Sequence, residues 1–255
     1  MKVLNMKKFY KIKNDAMFKA IFCKEENKDI LKWLIEDAID KKIEIISIDV
    51  PELIKKNIYV KGKTLDVLVS SEDRLIDIEV NTNIDNNLRR RNVSYIFSKY
   101  SEVSKIGESY TNMPEVIQIN LTSSEFIPMV SKYTLYDKNN KTNYIDNLTI
   151  FEYNISKIKE VCYNKPSKYS LMSMLDCNLE ELENIKGDEM MDKVVRETKY
   201  LNEDTDFVKF MSVEEEDRLY INTWKAEGKR DGIKEGIREG KKEGIALGIA
   251  QEKKK

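Results

Sequence analysis

The stretch TLDVLVSSEDRLIDIEVN, running from Thr64 to Asn81, decides how this chain is read. Two apolar runs flank the polar turn Ser71-Glu72-Asp73-Arg74, a pattern that predicts a β-hairpin. Side chains alternate along a strand, so Leu65, Val67 and Val69 share one face while Asp66 and Leu68 share the other. On the second strand Ile76, Ile78 and Val80 face one way and Asp77, Glu79 and Asn81 the other. Burying the apolar set together selects the register Val69 with Ile76, Val67 with Ile78 and Leu65 with Val80, since a slip by one residue would turn every side chain over. That register sets Asp66 across from Glu79. Like charges at facing positions, with Cβ atoms about 5 Å apart, destabilise a hairpin unless something positive lies between them. Aspartate is also a poor strand former, so its place in an apolar run asks for a reason. A shared divalent cation supplies one. On the hairpin alone the plainer alternative stays open: a solvated outer face on which Asp66, Asp77 and Glu79 keep the sheet soluble.

Outward from the hairpin, the apolar positions from Asn14 to about Asp40 recur at three and four, which predicts helix interrupted near Cys23 to Asn27. Ile43 to Val50 and Ile58 to Val60 read as strands, with Leu65 to Val69 and Leu75 to Val80 forming the hairpin. Asn86 to Lys105 carries a helical stripe (Leu88, Val93, Ile96, Phe97, Tyr100, Val103) that Gly107 ends. Glu115 to Leu121 suits a buried strand. Tyr133 to Tyr136 and Leu148 to Ile155 look extended, and from about Ser167 to Trp224 the chain reads as mostly helical. Helix, strands, helix, strand in that order predicts an α/β layer structure. Residues 1–125 are expected to form the core, 126–225 a mixed and then helical extension, and 226–255 a separate tail.

The tail repeats glycine every fourth residue, from Gly228 to Gly248, often followed by isoleucine. Each interior glycine costs an isolated helix about 1 kcal/mol relative to alanine. Two readings stand: a flexible tail, or a helix whose glycine stripe admits a second copy and makes a homo-oligomer, with Glu and Lys/Arg between the glycines forming helical ion pairs.

Composition narrows the chemistry. The 255 residues contain no histidine, which removes Ser-His-Asp and Cys-His catalysis, HExxH sites and most zinc enzymes. Cys23, Cys162 and Cys177 lack ligand spacing and read as ordinary thiols. No GxxxxGK[ST] or GxGxxG occurs. An enzyme of this composition must work with carboxylates, lysines, tyrosines or serines, and carboxylates with magnesium are the commonest such arrangement. The formal net charge of −1, with 35% charged residues, gives no global basic footprint for nucleic acid, although Lys7, Lys8, Lys11, Lys13 and Lys19 cluster early and Arg89, Arg90 and Arg91 run together. No apolar run approaches the roughly 20 residues of a membrane span, and no signal-peptide core follows Met1 to Lys8, so a cytoplasmic protein without membrane association is expected.

Leu65-Asp66-Val67 followed by Ile76-Asp77-Ile78-Glu79-Val80-Asn81 resembles the D…ExK signature of PD-(D/E)XK nucleases, and within them the transposase group of Rpn-like recombination-promoting nucleases. Asn14-Asp15-Ala16-Met17-Phe18-Lys19-Ala20-Ile21-Phe22 is similar to that group's opening helix. Arg91 with Tyr95, Gly107 with Tyr110, and Val116-Ile117-Gln118-Ile119 are similar to its second helix and following strand, and the Glu/Lys/Gly tail is typical of it.

The resemblance implies an α/β restriction-endonuclease-like αβββαβ core, with a mostly helical C-terminal extension, and Mg²⁺-dependent (or Mn²⁺-dependent) hydrolysis of DNA. Asp66, Glu79 and the backbone carbonyl of Val80 would be the metal ligands, and Asp15 an acid at the edge of the site. The position of the signature lysine holds Asn81, whose amide can orient water or touch phosphate but carries no charge. Lys19 or an arginine of the 89–91 run would then stand in for it, and Arg89, Arg91 and Tyr95 are the expected nucleic-acid contacts. The competing expectation is a degenerate nuclease fold kept as a nucleic-acid- or protein-binding assembly module.

Overall fold

In the computed structural model, which describes residues 8–49, 67–81, 87–103, 109–165 and 167–252, the hairpin forms in the register its apolar residues select. Strands β2 (Val67–Ser70) and β3 (Arg74–Asn81) pair antiparallel, with Val67 opposite Ile78 and Val69 opposite Ile76. All four of these apolar side chains are fully buried. Asp66 and Leu65, and the expected strand at 58–60, lie outside the described residues, as does Gly107.

Around this hairpin a six-stranded mixed sheet is built. A short strand, β1 (Ser47–Asp49), pairs with β2 and is briefer than the expected 43–50 run. After β3, helix α3 (Leu88–Glu102) leads to β4 (Glu115–Thr122), which lies parallel to β3. The chain then makes β5 (Val130–Thr134), the small pair β6 (Tyr136–Asp137) and β7 (Thr142–Asn143), and β8 (Leu148–Asn154). The sheet order is β1-β2-β3-β4-β8-β5, so β8 inserts between β4 and β5, parallel to the first and antiparallel to the second. A boundary drawn at residue 125 therefore passes between strands of one sheet, because β8 supplies the hydrogen bonds that the open edge of β4 needs.

Helices cover both faces. Helix α1 (Asp15–Phe22) starts at Asn14, whose Oδ1 accepts from the Ala16 amide at 3.0 Å, satisfying an otherwise unpaired donor of the first turn. Its buried stripe of Met17, Phe18, Ile21 and Phe22 includes two stacked rings 4.5 Å apart. The expected break falls at a 3-10 turn, Glu25–Asn27, where the buried Asn27 donates from Nδ2 to the Ile21 carbonyl at 2.7 Å. Helix α2 (Lys28–Ile39) resumes with Ile30, Leu31, Leu34 and Ile35 inward and stops at Asp40, whose φ of 57° is left-handed. The Tyr153 hydroxyl donates to the Ala38 carbonyl, tying α2 to the sheet face that carries Ile76, Ile117 and Ile78. On the opposite face α3 packs Ile96 against Val116 and Leu148.

Helices α4 (Ile155–Cys162), α5 (Ser170–Met174), α6 (Leu179–Glu183) and α7 (Glu189–Glu203) follow. The N-terminal segment is pinned among them. The Lys13 amide donates to Leu175 O at 2.8 Å, and the Tyr10 amide to Asn202 Oδ1 at 2.7 Å. Burial pushes the Cys177 thiol up to about 12, in keeping with an inert core residue. Residues Met1–Asn202 and Glu203–Lys255 are two separate compact units. The second is dominated by one helix, α8 (Thr205–Glu252), which runs through the glycine repeat. A Cβ built at Gly228, Gly232, Gly236, Gly240 or Gly244 would meet nothing within 4 Å.

Candidate active site

Pairing partners in a sheet point to the same side, so the α3-covered face can be read row by row from the register. Its first row, Leu75, Val116 and Leu148, is apolar. The second holds Asp77, Gln118 and Ile150; the third Glu79, Asn120 and Glu152; the fourth Asn81, Thr122 and Asn154. Every polar member of these rows is buried: Asp77 is 1% exposed, Glu79 3%, Asn81 5%, Asn120 2% and Glu152 3%. Isolated charges and amides at that depth are costly, so the face must be knitted together by hydrogen bonds.

It is. Gln118 Nε2 donates to Asp77 Oδ2 at 2.8 Å, and Asn120 Nδ2 to Gln118 Oε1 at 3.2 Å. Asn81 Nδ2 reaches Asn120 Oδ1 at 3.4 Å, and the same oxygen accepts from Asn92 Nδ2 of α3 at 2.5 Å. Gln118 Nε2 also donates to the Asn92 carbonyl at 3.1 Å, fixing the α3 backbone over the sheet. The first turns of α3 bring two cations to this face. Arg91 Nη2 donates to Asn81 Oδ1 at 3.1 Å. Arg89 grips Glu152 with Nη2 at 2.7 Å and Nε at 3.4 Å, while the Tyr133 hydroxyl donates to the same carboxylate at 3.1 Å. Hydrogen bonding to Glu152 holds the Arg89 guanidinium above its ordinary pKa. A cavity of about 190 Å³ lies here, lined by Arg89, Asn92, Asn120, Tyr133 and Glu152 among others. A larger hollow of about 600 Å³ sits at the other end of β3, beside Asp73, Arg74 and Pro114, away from these groups.

The structure thus gathers Glu79, Asn81, Arg89 and Arg91 on one face. Val80 follows Glu79 on β3, with its side chain on the opposite face. Tyr95, one turn beyond Arg91, is half-buried on α3. Asp15 opens α1, and Lys19 one turn later pairs with it, Nζ lying 2.9 Å from Oδ1, an arrangement that also suits the helix dipole. Helix α1 packs against β3. Asp66 falls outside the described residues, among which no group of three or more His, Cys, Asp or Glu side chains is placed to share a metal ion. No described helix is long and apolar enough to cross a membrane.

Sequence reasoning missed Gln118, Asn120, Asn92 and Glu152 as members of this face. The signal was present as alternation: Gln118, Asn120 and Thr122 interrupt Val116, Ile117, Ile119 and Leu121 at every second position, as Asp77, Glu79 and Asn81 do in β3. Set beside this geometry, the family model for PD-(D/E)XK nuclease family transposases matches residues 12–233. No curated protein and no solved structure matches the chain.

Proposed function

This chain belongs to the PD-(D/E)XK nuclease family transposases, and from that premise we propose that it is a metal-dependent endonuclease that hydrolyses phosphodiester bonds in DNA. The observation that carries the proposal is the buried Glu79, held on a hairpin whose register matches the one the sequence selects, beside Asn81 at the signature position. The sequence reading pairs Asp66 with Glu79, although Asp66 lies outside the described residues. The donors fit a hard cation: carboxylates of Asp66 and Glu79 and the carbonyl of Val80 are oxygens of the kind Mg²⁺ or Mn²⁺ prefers, with no sulfur or imidazole among them. When bound, such an ion polarises the scissile phosphate and lowers the pKa of a coordinated water.

The protein's own residues supply the rest. Asn81, its amide fixed by Asn120 and Arg91, is placed to orient a water or a phosphate oxygen. Arg89, with a side chain 59% exposed despite its hold on Glu152, offers N–H groups to a DNA phosphate, and Tyr95 extends that surface along α3. Asp15 and Lys19 act at the rim through α1. We assign the chain to the cytoplasm.

Nicking of supercoiled plasmid in Mg²⁺ or Mn²⁺ across salt and concentration tests the reading, with Asp66→Ala expected to abolish it. A wild-type chain that binds no metal and leaves plasmid intact, yet associates with DNA or protein, would instead establish the binding-module alternative. For the second unit we propose self-association through the glycine stripe of α8. Deleting residues 226–255 is expected to lower the mass measured by light scattering, and an unchanged mass would defeat this assignment.

A further inference from the structure

Asn81 leaves the signature position without a positive charge, and the hydrogen bonds around it show where a replacement is held. We infer that Arg91 is the missing cation, aimed at the Glu79 site by a one-way chain of side-chain amides that ends on Asp77; the inference rests on the nuclease reading above. The chain runs Arg91 Nη2 to Asn81 Oδ1, Asn81 Nδ2 to Asn120 Oδ1, Asn120 Nδ2 to Gln118 Oε1, and Gln118 Nε2 to Asp77 Oδ2. A guanidinium only donates, so the Arg91 end dictates how all three amides point. Each turns its oxygen toward Arg91 and its NH₂ toward Asp77. Asn92 donates to Asn120 in the same sense. Gln118 and Asn120 are almost fully buried, where aligned amide dipoles reinforce one another and a reversed amide would set donor against donor.

The other candidate cations each hold a carboxylate. Lys19 is paired with Asp15, and Arg89 is clasped by Glu152 and Tyr133. Arg91, by contrast, is exposed, and its hydrogen bond goes to a neutral amide; among the described residues it meets no carboxylate. Its charge is therefore free to meet an incoming anion two residues along β3 from Glu79. Arg91 contacts a non-bridging oxygen of the scissile phosphate and stabilises the charge that builds there; Asn81, Asn120, Gln118 and Asp77 are positioning residues.

Plasmid nicking by the full-length chain, with kcat and KM separated, is the test. Arg91→Ala is expected to lower kcat by about a hundredfold, with KM for DNA changed by less than about threefold and with thermal stabilisation by Mn²⁺ retained. Adding Asn81→Lys to Arg91→Ala restores the charge from the strand and is expected to recover at least about tenfold of the loss; Arg91→Lys alone, which keeps a cation on the same helical turn, is expected to stay within about tenfold of wild type. Arg91→Ala at the wild-type rate, a loss confined to KM, loss of the Mn²⁺ effect, or no recovery with Asn81→Lys would each overturn the inference while leaving the nuclease reading intact. A wild-type chain that does not nick overturns both.

Discussion

Glu79→Gln is expected to cut plasmid nicking by about a thousandfold or more, equivalent to roughly 4 kcal/mol of transition-state stabilisation. The substitution keeps the shape and much of the hydrogen-bonding capacity of a side chain that is 3% exposed, and removes only its charge. What disappears is the anionic oxygen facing the proposed cation, so the binding readout must change with the rate. A ligand at a hundred times its Kd stabilises the native state by about 2.7 kcal/mol; titration of Mn²⁺ against the melting temperature is expected to show a rise for wild type and none for Glu79→Gln. DNA affinity in EDTA is expected to persist, since Arg89 and Tyr95 are untouched. A variant that nicks normally, or that still gains stability from Mn²⁺, would remove Glu79 from the site.

The second large effect concerns stability. Asp176, its side chain 12% exposed, receives Lys13 Nζ at 2.8 Å, Lys11 Nζ at 2.9 Å and the Ser156 hydroxyl at 2.7 Å. Burial alone would raise its pKa, but the hydrogen bonds from Lys13, Lys11 and Ser156 outweigh it and hold the carboxyl down at about 2. A folded-state pKa below the unfolded value means that the stabilisation is present above about pH 4 and is lost as the pH falls toward 2. The shift corresponds to on the order of 2 kcal/mol, taken as an upper figure because the two lysines are about a third exposed and screened by water. Asp176→Asn is therefore expected to lower the urea-unfolding free energy by that order at pH 7, with the gap from wild type closing between pH 4 and pH 2. A gap that is the same at both ends would show that the carboxylate's charge contributes nothing. The same contacts draw two of the early lysines inward: Lys11 and Lys13 tie their segment to the one before α6.

The hairpin was legible because its information is local. Period-two alternation in Val67, Val69, Ile76 and Ile78 is enough to fix register, and the same pattern separated Glu79 and Asn81 from the core face. The opening helix, its break at the 3-10 turn, and α3 were legible for the corresponding reason at period 3.6. What sequence could not deliver was adjacency. Gln118 and Asn120 lie within a run that suits a buried strand, and Glu152 within one that looks extended, with nothing local to join them. They become one face only when β4 lies beside β3 and β8 beside β4, pairings set by long-range packing. The pairing of Arg89 with Glu152 was hidden for the same reason, since the two stand 63 positions apart in the chain. A continuous α8 was not legible in the repeat either, because its glycines argue against helix while the intervening Glu, Lys, Arg and Ala argue for it.

The late insertion of β8 also sets a schedule for biosynthesis. When β4 leaves the ribosome, the parallel neighbour that will cover its edge has yet to emerge; about thirty more residues must follow it out, which takes roughly two to six seconds at 5–20 residues per second. Through that interval the nascent chain presents a bare strand edge bearing Ile117, Ile119 and Leu121, the kind of template on which other chains pair. Slow elongation through that interval would lengthen the exposure.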